Sequence, residues 1–141
     1  MTSKLTIDRN LKRCVKHQNI LADFSRFCAK ELGINESLLL EIVGSRGNNG
    51  ITTTAFYDPT SHLIRIYGKN RAIVDICRSI GHEMTHMSQM IEGRLKFPVQ
   101  DVGGEIENEA NARAGELIKA YAKSSPKRKK IYESLKRKKV L

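Results

Sequence analysis

Apolar residues recur every three or four positions in several long stretches of this chain, which is the spacing of an amphipathic helix. The first stretch ends before Gly33, and glycine is common directly after a helix C-terminus. The predicted helices cover residues 8–32, 71–93 and 105–122, and residues 124–141 form a short basic helix or tail.

Between the first two helices the pattern changes to short runs rich in β-branched and aromatic residues, which favour strands. These runs cover residues 38–43, 51–57 and 62–67. Turn signals separate them, at Asn49-Gly50 and at Asp58-Pro59. Because the connections are short, we expect a three-stranded antiparallel sheet, and therefore an α+β fold.

The second predicted helix contains the motif His82-Glu83-Met84-Thr85-His86, which has the form H-E-x-x-H. Side chains at positions i and i+4 lie on one face of a helix, so both imidazoles can bind a single metal ion. The two histidines share a polar face, opposite an apolar face that includes Ile73, Ile80 and Met87. Glu83 follows the first histidine directly, where it can reach a water molecule at the metal without being a ligand.

A third ligand is expected, because catalytic zinc usually has three protein ligands and one open position. The nearby carboxylates after the motif are Glu92, Glu105, Glu107 and Glu109. Glu107 shares a helical face with Ala110 and Ala114, within about 60°. A carboxylate on such a packing face needs a partner, which a zinc ion would provide. The alternative is an ion pair between Glu107 and a buried Arg or Lys. Asn111, one turn later, would orient a ligand.

Composition places this sequence of 141 residues among single soluble domains, with 40% hydrophobic and 28% charged residues. No apolar run reaches the roughly 18 residues of a membrane span, and the first residues lack the apolar core of a signal peptide. The expected location is the cytoplasm, with no membrane partner. The odd number of cysteines (Cys14, Cys28 and Cys77) and their spacing match no zinc knuckle and predict reduced, mostly buried thiols.

The net charge of +10 is concentrated at the C-terminus. Residues 123–141 contain nine Lys or Arg and one Glu, so they contribute +8 of that charge. This segment is a candidate for binding nucleic acid phosphates or an acidic surface; the alternative is a solvated tail. We therefore divide the chain into a catalytic body over residues 1–123 and a basic segment over residues 124–141.

Together, the motif and the later acidic helix resemble the gluzincin metallopeptidases. That group has H-E-x-x-H on one helix and, on a later helix, a Glu followed four positions on by Asp or Asn, which Glu107 and Asn111 match here. The run Glu107-Asn108-Glu109-Ala110-Asn111 is also similar to the E-x-E-A-N stretch of the ImmA-type family, which is common in phages and mobile elements. The resemblance covers roughly residues 52–121. Two features depart from the ImmA-type pattern: Arg113 replaces an aromatic residue, and no helix-turn-helix module is attached.

The resemblance implies a minimal zincin fold, in which the motif helix packs on the sheet and an edge strand binds an extended peptide. It also implies a zinc-dependent peptidase, small and phage-encoded, acting in the host cytoplasm. Zinc held by His82, His86 and Glu107 would activate water, and Glu83 would take the proton. An oxyanion donor is needed as well. The candidates are Tyr121, which we rank first, and Tyr67, His62 and Arg113.

Two other hypotheses stay open from the sequence. In one, the protein binds nucleic acid through its basic segment, alone or together with proteolysis. In the other, zinc stabilises a structural protein that has no catalytic turnover. The sequence does not specify a substrate or an oligomeric state.

Overall fold

The computed structural model of the protein describes residues 3–7, 15–45, 54–95 and 104–135. Within them lie helices and strands that confirm the predicted α+β class. In chain order these are β1 (Ser3–Ile7), α1 (Val15–Leu32), β2 (Leu38–Val43), β3 (Ala55–Asp58), β4 (Leu63–Tyr67), α2 (Ile73–Ile91), α3 (Glu105–Lys123) and α4 (Pro126–Leu135). The predicted helix start at residues 8–14, with Cys14, the turn at Asn49-Gly50 and the start of the predicted strand at residues 51–53 lie outside the described residues.

The predicted three-stranded antiparallel sheet is wrong. The sheet is mixed and has four strands in the order β1-β2-β4-β3. β2 is parallel to β1 and to β4, and only β3 and β4 are antiparallel. The prediction failed because it took the connection after β2 to be short, over residues 44–50, and assumed that consecutive strands pair. Residues 44–54 separate β2 from β3, which is enough chain to span the two strand spacings of about 4.8 Å that let β4 lie between them.

β1 was not predicted at all, since it is only five residues long and its one fully buried side chain is Ile7. The alternation Lys4-Leu5-Thr6-Ile7 is its only sequence signal. β1, α1 and β2 together form a βαβ unit, in which a helix joins two parallel strands. The nearly continuous apolar run of β2 is typical of an inner strand in a parallel sheet.

Helix α2 lies at the centre of the fold and packs against α1, α3, β3 and β4. Most of its apolar face is buried as its periodicity predicted, with Ile73, Ile80 and Met87 at 0% exposure, but Ile91 at its C-terminal end is 41% exposed. Cys28 and Cys77 are buried free thiols, which agrees with the predicted packing role. None of the helices in the described part of the chain is long and apolar enough to cross a bilayer.

The described part of the basic segment is a helix, α4, that packs on the body of the protein. Its residue Leu135 is buried in the same core as α1 and α2. Arg128 donates hydrogen bonds to both carboxylate oxygens of Asp23 on α1, at 3.0 and 2.8 Å. The Arg128 guanidinium also lies 5.3 Å from the Phe27 ring and 5.0 Å from the Tyr121 ring, which is cation–π geometry. Residues 136–141 lie outside the described residues.

Candidate metal centre

The two helices that carry the predicted ligands pack unusually closely beside the H-E-x-x-H motif. A Cβ atom placed on Gly81 would lie 3.3 Å from the Cα atom of Ala114 on α3. Ala110 and Ala114 are both buried, at 0% and 1% exposure. Small side chains on both helices therefore allow α3 to approach the residue that precedes His82.

This packing brings together the three side chains that the sequence predicted as metal ligands. His82 Nε2 lies 3.0 Å from Glu107 Oε1, and His86 Nε2 lies 3.0 Å from Glu107 Oε2. The two Nε2 atoms are 3.1 Å apart. The alternative partner for Glu107, a buried Arg or Lys, is not what its carboxylate contacts here.

The separations fit a divalent cation. Ligand atoms placed 2.0–2.1 Å from a tetrahedral Zn²⁺ are about 3.3 Å apart, within a few tenths of an ångström of the spacing seen here. The chemistry of the donors fits as well. A carboxylate oxygen only accepts hydrogen bonds, and His86 Nε2 can donate at most one proton while facing both Glu107 and His82. A cation between these atoms would interact favourably with all of them.

Burial affects the protonation of the site. Desolvation lowers the pKa of His82, which favours the neutral imidazole that binds metals. The Asn111 side chain hydrogen-bonds His82, as expected for a residue that orients a ligand. Desolvation also raises the pKa of Glu83 to about 7, and this residue is only 9% exposed.

Glu83, both histidines and Glu107 line one cleft, with a volume of about 860 Å³. The opposite wall is formed by β3 and the residue before it, with Thr54, Phe56 and Tyr57. Arg71, at the start of α2, also lines the cleft and is held in place by hydrogen bonds to the Tyr67 carbonyl and the Ser79 hydroxyl, each 2.9 Å long.

The predicted catalytic role of Tyr121 does not fit its position. Its hydroxyl donates a 2.7 Å hydrogen bond to Asp23, and its ring packs edge-on against Phe24 and Phe27, away from the cleft lining. Tyr121 shares a helical face with Glu107 but lies almost four turns away along α3, so the structure does not bring it to the candidate metal site.

The other proposed oxyanion donors do not line the cleft either. Arg113 pairs with Glu116 at 3.0 Å, and His62 Nδ1 lies 3.2 Å from the Tyr57 hydroxyl. The cleft-lining side chains that carry hydrogen-bond donors include Tyr57, Arg71, Arg78 and Asn111.

Sequence reasoning missed the part played by Gln89. The motif gives this residue no role, although it follows His86 by three positions on the same helical face. In the structure it is fully buried, and its Oε1 atom lies 2.8 Å from Nδ1 of His86. The spacing alone could have identified it as a neighbour of the second histidine.

Comparison with protein-family models, with curated proteins and with solved structures gives no match to this chain. The resemblance to gluzincins therefore depends on His82, Glu83, His86, Glu107 and Asn111, and on their relative positions in the fold. It is carried forward as a proposal.

Proposed function

We propose that this protein is a zinc-dependent metallopeptidase of the gluzincin type that cleaves peptide bonds with an activated water molecule. The observation that carries the proposal is the meeting of Glu107 with His82 and His86, at 3.0 Å each, in a cleft that also contains Glu83. Two imidazoles, one carboxylate and a separate buried carboxylic acid are the set of groups that this chemistry needs.

In this proposal His82, His86 and Glu107 hold the zinc ion. Zinc bound in this way acts as a Lewis acid and lowers the pKa of water at the site to about 7. Glu83 accepts the proton of the attacking water on its carboxylate and then delivers it to the nitrogen of the leaving amine. Its burial in the wall of the cleft keeps it free of strong hydration and close to the ligands.

We further propose that the substrate is an extended peptide bound along β3. This strand lies at the edge of the sheet, as far as the described residues define it, and also borders the cleft. An edge strand can hydrogen-bond the backbone of a peptide by strand addition. Such binding selects extended backbone with little dependence on side chains, so unfolded segments of proteins are the expected substrate class. A minimal zincin fold, and an origin in a phage or mobile element, depend on the motif resemblance alone.

The proposal is tested by metal analysis followed by an activity screen. Protein purified without chelator should contain about one zinc ion per chain and should cleave an unfolded protein such as reduced casein. The Glu83→Gln variant should keep the zinc and lose the cleavage, because it retains the side-chain volume but cannot accept the proton. If Glu83→Gln cleaves as fast as the parent protein, the proposed mechanism is wrong.

The same variant distinguishes the enzyme from a zinc-stabilised structural protein. In the structural alternative, removing zinc with a chelator unfolds the chain, while Glu83→Gln leaves its biological role intact. If the protein is a peptidase, Glu83→Gln instead removes its biological role. We favour the peptidase because a structural zinc site would be closed by four protein ligands. In the described part of the chain, three candidate ligands meet, and they line an open cleft.

A second candidate function is nucleic acid binding by the outer face of α4. Arg128 and Leu135 fix this helix on the body, which leaves Lys127, Lys129 and Lys130 exposed on the other side. Exposed ammonium groups spread around this helix can contact phosphates. With this activity the peptidase would be held close to proteins bound to nucleic acid.

A further inference from the structure

The side chain of Gln89 connects the two helices that carry the proposed metal ligands. It lies on α2, one turn beyond His86, and is 0% exposed. Its Oε1 atom is 2.8 Å from His86 Nδ1. Its Nε2 atom donates to the carbonyl oxygen of Ile106 at 3.1 Å and to Glu109 Oε1 at 2.9 Å, both on α3.

These partners determine the orientation of the amide. A backbone carbonyl and a carboxylate only accept hydrogen bonds, so the NH₂ group of Gln89 must face Ile106 and Glu109. The amide oxygen is then the atom that faces His86, and an oxygen of this kind only accepts. Nδ1 of His86 must therefore be protonated and donate this hydrogen bond.

The hydrogen bond at Nδ1 determines the tautomer of a neutral His86 side chain. A neutral imidazole with its proton on Nδ1 has a lone pair on Nε2. Nε2 is the His86 atom that lies 3.0 Å from Glu107 and 3.1 Å from His82. In this tautomer the lone pair is directed at the centre of the proposed metal site.

We propose that Gln89 is a positioning residue, which fixes the metal-binding tautomer of His86 and ties that histidine to the backbone next to Glu107. This inference rests on the proposed metal centre. It also gives Glu109 and Arg94 an indirect role: Arg94 donates to both oxygens of Glu109, at 2.7 and 3.1 Å, so the carboxylate that receives the Gln89 amide is itself held.

Other residues of similar size could not make the same hydrogen bonds. Leucine at position 89 would leave His86 Nδ1 and the Ile106 carbonyl without this partner inside the protein, which is costly. Glutamate would still accept from His86, but would place a second carboxylate against Glu109. A glutamine is the residue that can accept on one side and donate twice on the other.

The test compares Gln89→Leu with the exchanged pair Gln89→Glu/Glu109→Gln, in which the acceptor for His86 is kept and the amide moves to position 109. Zinc affinity is measured by competition with a chromophoric chelator. The tautomer of His86 is read in the metal-free full chain from long-range ¹H–¹⁵N NMR correlations. Gln18→Leu, at an exposed glutamine of α1, is the control for loss of an amide.

We expect Gln89→Leu to weaken zinc binding about 10- to 100-fold, which is the usual effect of losing the partner of a ligating histidine, and to lose the single Nδ1–H tautomer. The exchanged pair keeps an acceptor for His86 but has no donor for the Ile106 carbonyl, so it should keep the tautomer and bind zinc more tightly than Gln89→Leu does. Gln18→Leu should match the parent. Equal affinity in Gln89→Leu and parent protein would overturn the proposal while leaving the metal centre intact. An equal loss in Gln89→Leu and the exchanged pair would overturn it too, since Gln89 would then only join the helices.

Two further outcomes are also decisive. If the parent protein binds no zinc, the proposed function fails, and the tautomer measurement alone decides for or against Gln89. If Gln89→Leu does not fold, the exchanged pair decides: retention of the Nδ1–H tautomer supports the proposal, and its loss contradicts it.

Discussion

Nε2 of His86 lies 3.0 Å from Oε2 of Glu107, although the two residues are 21 positions apart and belong to different helices. Local sequence cannot produce this contact, because residues 92–104 separate α2 from α3. It results from packing between the helices, in which small residues replace the side chains that would hold them apart. A carboxylate and two imidazoles brought together in this way could share a metal ion.

Glu107→Gln should reduce zinc affinity by at least about 100-fold, because loss of an outer-shell partner alone costs 10- to 100-fold and this change removes a charged ligand. Chelator competition gives the affinity, and elemental analysis gives the zinc content. The matched control is Glu105→Gln, which removes an exposed carboxylate from the same first turn of α3. Full zinc occupancy in Glu107→Gln would refute the assignment of this residue as a ligand.

Gly81→Val should separate the two ligand-bearing helices. Even a single Cβ atom at position 81 would lie 3.3 Å from the Ala114 backbone, so the larger side chain must displace α3. We expect a loss of about 1–3 kcal/mol in the free energy of unfolding, as for other overpacked sites, together with weaker zinc binding. Urea denaturation and chelator competition measure the two effects.

Gly115→Ala is the control for that experiment. A Cβ atom at Gly115, also within a helix, meets nothing within 4 Å. The substitution should therefore raise the free energy of unfolding by about 0.5–1 kcal/mol through helix propensity, and leave zinc affinity unchanged. Equal behaviour of the two glycine variants would show that close packing at Gly81 does not set the geometry of the site.

The proposed ligands could be recognised from the sequence because each depends on a helical period. His82 and His86 are one turn apart, and Glu107 lies on the same face as Ala110 and Ala114, so the pattern identifies the faces that meet. The same reasoning misplaced Tyr121, because a shared helical face says nothing about the distance along the axis. Gln89 was overlooked because its role depends on three hydrogen-bond partners, two of which belong to α3.

The sheet was harder to predict than the helices. The positions of β2 and β4 were correct to within a residue, but strand order depends on which strands pair, and loop length is only a weak guide to it. β1 carries almost no hydrophobic signal of its own and exists because β2 offers it a pairing edge. These errors matter for the site, because β3 would be the central strand of the predicted meander. Only in the observed order does β3 lie at the edge of the sheet, as the described residues define it, where it borders the cleft.

Binding of nucleic acid by α4 predicts a steep dependence on salt. Replacing Lys127, Lys129 and Lys130 together by Gln should weaken binding of a duplex, and should reduce the slope of log K against log salt by about 0.9 for each phosphate that is no longer neutralised. Fluorescence anisotropy at several salt concentrations measures this. Lys69→Gln, at an exposed turn on the body, is the control. If the triple variant binds the duplex as the parent does, or if the parent binds an acidic protein but no duplex, the proposed partner is wrong.

The ion pair between Asp23 and Arg128 should make the docking of α4 sensitive to acid. The hydrogen bonds from Arg128 lower the pKa of Asp23 below its ordinary value of 3.8, and the bond from Tyr121 acts in the same direction. Since the folded pKa is the lower one, the stabilisation is complete above the unfolded pKa and is lost as the pH falls through the folded pKa. Asp23→Asn should therefore be less stable than the parent by about 1 kcal/mol at pH 7, and the difference should be smaller at pH 3, below the ordinary pKa. Urea midpoints at both pH values measure this, with Asp75→Asn as the control, because its pair with Arg78 is about half exposed and should contribute little at either pH. A difference for Asp23→Asn that stays constant with pH would show that the charge of Asp23 does not hold α4 in place.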